Sequence, residues 1–165
     1  MLSKTSFALL LRNFVFGVED SLVSTVGLLS GIAIAGVEQK TILLTGSVLI
    51  IVEAFSMAVG SFLAERSAED YIKQAEVPVR RSLAGGLVMF FSYLSSGLIP
   101  LMPYTFMETG LALQTSVALS LLALFALGVA SAKIANIKIL ANGLSMMIIG
   151  GVAIVVGIIA GEIMK

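Results

Sequence analysis

The residues in this chain able to do chemistry are few, and they stand where the sequence is otherwise oily. Glu19 and Asp20 interrupt the run NFVFGVEDSLVST, and Glu53 opens VEAFSMAVGSFLAERSAED, with Met57 one helical turn after it. An ionisable group at membrane depth costs from ~3 kcal/mol on insertion scales to ~10 kcal/mol or more in simulations, so it marks a functional site by default. Carboxylate oxygens with one thioether suit a borderline first-row divalent ion better than Mg2+ or Ca2+, which prefer all-oxygen shells. The chain contains no His, Cys or Trp. That excludes disulfides, thiolate zinc sites and imidazole acid–base chemistry. No nucleophile–base constellation is visible, so neither an enzyme nor a prosthetic group is expected. Each residue also has a plainer reading: Glu19 at headgroup level, Asp20 bonded to Ser24 or backbone, Glu53 structural, and Met57 as core filler.

The elements that position these groups follow from composition. Of 165 residues, 58% are hydrophobic and 12% charged, about half the charged share of a soluble domain. The formal net charge is zero, which gives no basic surface for nucleic acid. About 20 apolar residues cross a bilayer, and five stretches reach that length: 13–37, 41–64, 82–107, 109–132 and 139–161. None alternates as barrel strands do, so backbone satisfaction in lipid requires helices. The fold class is an all-α membrane protein, a single domain over 1–165. The N-terminal stretch MLSKTSFALLLRNF lacks the length and cleavage site of a signal peptide and reads as a short amphipathic helix on the membrane surface.

Loop charge orients the bundle. With the N-terminus in the cytoplasm, Lys4, Arg12, Arg66, Lys73, Arg80, Arg81, Lys133 and Lys138 lie inside and only Lys40 and Lys165 outside, a clear positive-inside pattern. The 2–3 loop is then cytoplasmic and the C-terminus external. The tight turn around Gly36 predicts an antiparallel hairpin of spans one and two. Counting ~1.5 Å per residue from that turn puts Asp20 and Met57 at one level and Glu53 a turn deeper. Gly17, Gly27 and Gly31 share the acidic face of span one, which places the acids against protein. Span two extends to residue 77 as a charged helix carrying Glu65, Glu69, Asp70 and Glu76. That extension reads either as a solvated helix with a Glu69–Lys73 pair or as a set of acids concentrating cations at a cytoplasmic entrance. Pro78 ends it, and Pro100 and Pro103 predict a kink or helix end in span three.

FGVEDSLVSTVGLLSG, SMAVGSFLAERSAED, GLIPLMP and GLSMMIIGGVAIVVG, in this order, resemble the vacuolar iron transporter family over nearly the whole chain. The resemblance implies a five-helix homodimer in the lipid bilayer that exports Fe2+, often also Mn2+, from the cytoplasm in exchange for protons. It places the pathway between the first and second helices at the dimer interface. The family's first-helix Asp matches Asp20, and its second-helix Met matches Met57. Two departures stand out: about ten residues separate Tyr71 from Ser82, where plant members carry a long metal-binding insert, and Leu49 occupies the place of their second-helix Glu. The resemblance is therefore to a short, prokaryotic-type member, with a prokaryotic plasma membrane as the expected location because no vacuolar targeting signal is visible.

On this reading Asp20, Met57, Glu53 and Glu19 form the metal path, and Gly27 and Gly31 pack near the two-fold axis. Glu53 is the acid at which proton and cation compete. Two other functions fit the same residues: a non-transporting membrane subunit whose acids pair with a partner, and an uncoupled cation channel.

Overall fold

The computed structural model describes residues 4–74 and 79–164. These form α1 (Lys4–Ile34), α2 (Gln39–Lys73), α3 (Arg80–Leu101), the short α4 (Pro103–Phe106), α5 (Thr109–Ala135) and α6 (Ile139–Ile163). Five of the helices, all but α4, are long and apolar enough to cross a bilayer.

The first helix starts well before residue 13. Residues 4–16 contain no Gly or Pro, so nothing interrupts helical propagation, and the expected separate surface helix is instead the first part of α1. Its other end is set by backbone chemistry. Gly36 adopts φ +80°, and the Val37 N–H reaches back to the Ile32 carbonyl at 3.2 Å while the Gly36 N–H bonds that of Ala33 at 3.1 Å. This pairing satisfies carbonyls left open by the last turn. The α5–α6 turn is closed in the same way, with Asn136 at φ 55° and the Ile137 N–H on the Ala132 carbonyl at 3.0 Å. α2 runs 35 residues, roughly 52 Å at helical rise. That exceeds a ~30 Å hydrocarbon core, so its last turns project beyond it.

Pro100 and Pro103 act as their positions predict. α3 ends at Leu101, and Pro103 begins α4. Carbonyls in this broken region are taken up by side chains from neighbours: Ser116 of α5 donates to the Pro100 carbonyl at 2.7 Å. Gln39 of α2 donates to those of Tyr104 and Met107 at 2.6 and 3.0 Å. Beside them Tyr104 is fully buried, and burial pushes its phenol up to about 12.

α1 is the central helix. Half of its most apolar window is buried, against 22% for α2 and 17% for α6, whose remaining faces are apolar and exposed. α3 runs parallel to α1, with Asn13 beside Gly85, Gly17 beside Met89, and Ser21 beside Gly97. α1 and α2 each pack more extensively on α3 than on each other. The expected simple hairpin of spans one and two is thus wedged by α3, a helix that buries Ser82, Ser92, Tyr93 and Ser96 and so offers these neighbours a polar side.

The small residues of α1 serve a different contact from the one expected. Gly27 and Gly31 pack inside the chain against α6: a Cβ at Gly157 would collide with the Gly27 carbonyl, and one at Gly161 with that of Gly31. Two four-residue glycine repeats face each other, and close backbone approach in lipid selects such pairs. The correction follows from α6 carrying a matching repeat that competes for the same stripe. Gly161→Leu is expected to cost at least about 2 kcal/mol by overpacking this seam. Gly110→Leu, at a site with nothing within 4 Å of a new Cβ, is expected to be neutral. Thermal unfolding of the two variants in detergent, followed by size exclusion, checks this.

Candidate metal path

The register between α1 and α2 is fixed by α3. A Cβ at Gly97 would lie 2.8 Å from both Ser21 Oγ and Ile50 Cγ1, so Ser21 and Ile50 are level. Asp20 and Glu53 then face the same layer, and their charges are close enough to interact. Met57 lies a turn nearer the Arg12 end, in a cavity of about 580 Å³ that it shares with Asn13, Phe16, Ser61 and Met89. Asp20 is therefore level with Glu53 rather than with Met57. Counting from the turn fails because α1 and α2 pack on α3 more than on each other, so equal residue counts are not equal depths.

Tyr93 organises this layer. It is fully buried, its hydroxyl pairs with Ser24 Oγ at 2.7 Å, and its carbonyl accepts from Ser21 Oγ at 2.7 Å. The charges of both Asp20 and Glu53 act on the phenol. Ser24 is thus engaged by Tyr93 rather than by Asp20, the partner it has in the plainer reading of that acid. Sequence reasoning missed Tyr93 and Met89. The available signal was the stretch FFSYLSS in span three, where polar groups in an apolar run mark a face turned towards protein.

Asp20, Glu53, Met57 and Glu19 are all partly buried. Two like charges in one layer repel, and a divalent cation or a proton removes that repulsion. Among the described residues no three Asp or Glu side chains gather into one metal-holding group. One chain therefore offers a pair of carboxylates and, a turn away, two thioethers in one cavity.

The acids of the α2 extension are not a free negative mouth. Glu69 pairs with Arg81 of α3 at 2.9 Å, replacing the expected Glu69–Lys73 pair, because α3 begins alongside and offers a planar guanidinium. Asp70 lies 3.8 Å from Arg66. Glu65 is 5% exposed; its Oε1 accepts from Asn13 Nδ2 at 2.6 Å and lies 3.6 Å from the Arg12 guanidinium. Each of these three acids has an arginine beside it, so a cation attracted to this end meets carboxylates that are already paired. Glu76 lies outside the described residues, as does Pro78. Buried carboxylates need such partners. Asn13→Ala is accordingly expected to destabilise the chain by about 2 kcal/mol, through loss of a charge-assisted bond to a buried acid. Adding Glu65→Gln is expected to recover much of that loss, which thermal unfolding of single and double variants measures.

A family model described as the VIT family matches residues 11–84 and 74–162 of this chain. The first match carries Asp20, Glu53, Met57 and the α2 extension, and the second begins at the end of α2 and covers α3, α4, α5 and all but the last residue of α6. Vacuolar iron transporter 1 of Tulipa gesneriana is 24% identical over an alignment of 202 positions, which covers 86% of this chain and 82% of that protein. The alignment is longer than the whole 165-residue chain, so the tulip protein carries inserted residues that are absent here. Both the acidic layer and the glycine seam thus fall within stretches that one family model accounts for, and this membrane-spanning chain belongs to the VIT family.

Proposed function

We propose that the protein moves a divalent transition-metal cation, Fe2+ and also Mn2+, out of the cytoplasm in exchange for protons. The observation that carries this reading is that Asp20 and Glu53 lie at one level, fixed by Ser21 and Ile50 against Gly97, beside a cavity containing Met57 and Met89. Family membership and the tulip relative's name support a metal ion as cargo. The donor set of oxygen and thioether favours a borderline ion.

The chemistry is a competition. With both carboxylates charged, the layer is strained by repulsion and receives a divalent cation; with the cation gone, a proton takes its place. A homodimer completes the coordination: two copies of Asp20, Glu53 and Met57 across a two-fold axis, with water, supply what one chain lacks. The exposed side of the Met57 cavity, where Phe16, Ser56 and Gly60 are open, is the face assigned to this partner copy. Glu19, partly buried beside Asp20, is an outer contributor. The basic end, with Arg12, Arg66, Lys73, Arg80, Arg81, Lys133 and Lys138, faces the cytoplasm by the positive-inside rule. On this reading the N-terminus is inside, and the membrane is a plasma membrane of prokaryotic type.

The test is purified chain in liposomes, with divalent ions added outside and a pH dye within. Coupled antiport predicts cation entry with proton exit. A scaffold predicts no flux, and a channel predicts flux without proton movement. Asp20→Asn is expected to reduce cation uptake by at least about 10–100-fold, the loss seen even for outer partners of metal ligands. Glu53→Gln imitates the protonated state and is expected to keep cation binding while losing dependence on the proton gradient. Met57→Leu keeps the volume, removes the sulfur and is expected to blunt selectivity among divalent ions. Uptake by Glu53→Gln with its proton dependence intact contradicts the assignment of Glu53.

A further inference from the structure

Between the Met57 cavity and the basic end lies a second cavity of about 380 Å³, reached by Glu65, Glu69, Lys73 and Arg81. Arg12 and Ala64 line both cavities, so the Arg12 side chain stands at the partition. On α2 the groups along this route recur every four residues: Glu53, Met57, Ser61, Glu65 and Glu69, a ladder with a rung every ~6 Å. Ser61 belongs to the deeper cavity and Glu65 to the outer one.

The partition is a built feature. Glu65 is nine-tenths buried or more, and its niche exists because residue 85 is glycine: a Cβ there would lie 2.5–2.7 Å from both Glu65 oxygens and Asn13 Nδ2. Asn13 holds Oε1, while Glu65 Oε2 and Ser61 Oγ are buried without a hydrogen-bond partner. These are two acceptor atoms on neighbouring rungs, one on either side of Arg12. The Arg12 side chain itself is 66% exposed and approaches Glu65 only to 3.6 Å, bonding Asn13 Oδ1 at 3.3 Å. A loosely held guanidinium thus neutralises a firmly held carboxylate, one of whose oxygens has no hydrogen-bond partner.

We propose that Glu65 is the entry site for the divalent cation on its way to the Met57 cavity, and that Arg12 closes this entry by occupying Glu65 until the cation displaces it. The proposal rests on the transport reading above. The cation and the guanidinium compete for one carboxylate, so the empty pathway keeps a neutral pair at its mouth and the loaded one exchanges one positive group for another. Sodium and potassium, with a single charge, displace a guanidinium less well than a divalent ion, which makes the partition a charge filter.

The chain has no cysteine, so Arg12→Cys can be modified at that site alone. Mn2+ uptake into liposomes is measured for the native chain, for Arg12→Cys, and for Arg12→Cys after reaction with a trimethylammonium-bearing thiol reagent or a neutral one of similar size. Removing the competing charge is expected to lower KM by about threefold, as for a partly exposed ion pair, with kcat little changed. The charged reagent is expected to raise KM again and the neutral one to leave it low. Equal effects of the two reagents, or an unchanged KM in Arg12→Cys, overturn the proposal. If Arg12→Cys does not fold, Glu65→Gln decides: it leaves no buried charge to compensate and is expected to raise KM several-fold, whereas an unchanged KM overturns the proposal. A native chain that carries no Mn2+ overturns the transport reading and this proposal with it. A native chain that carries Mn2+ with a KM indifferent to both residues overturns this proposal alone.

Discussion

A carboxylate inside a bilayer must be compensated, and that single constraint arranges this molecule. The compensation takes two forms. Near the basic end, Glu65 and Glu69 are neutralised by arginines from α1 and α3, with Asn13 supplying the short bond that a buried oxygen requires. In the middle of the bundle Asp20 and Glu53 lie at one level, and among the described residues no ion pair joins either of them to an arginine or lysine. Buried charges with a matched partner hold a fold in one arrangement; a like-charged pair without one leaves room for a mobile cation.

The remaining helices make that arrangement possible. α3 gives α1 and α2 a polar side to pack against, through serines and Tyr93, so neither hydroxyls nor acids need face lipid. α6 closes on α1 further along its length through glycine against glycine, bringing backbones close where side chains offer no hydrophobic gain in lipid. α1 is held by both α3 and α6, and α2 chiefly by α3. The large apolar face of α2 that stays exposed, with Leu44, Val48, Ile51, Phe55 and Val59, belongs to lipid or to the second copy in the proposed dimer.

Much of this was legible in the sequence, and the rest was not for definable reasons. Span number and approximate limits follow from apolar run length, and the broken end of α3 follows from Pro100 and Pro103. Asp20, Glu53 and Met57 stand out because polar groups are rare in such runs. Helix rotation was the hidden variable. Gly27 and Gly31 look like a dimer stripe until Gly157 and Gly161 are seen to fit them, and no count along one helix reveals which neighbour it meets. The level of Asp20 depended on α3 entering between its neighbours. Glu65 and Glu69 read as solvated charges because their arginines are distant in sequence, at positions 12 and 81.

The central claim is that cation and proton compete for the Asp20–Glu53 layer. Calorimetric titration of the purified native chain with Mn2+, repeated in two buffers of different ionisation enthalpy, counts the protons released as the ion binds. The account predicts net proton release on binding by the native chain, and none from Glu53→Gln, which still binds. Binding without proton release, or release that survives in Glu53→Gln, contradicts it.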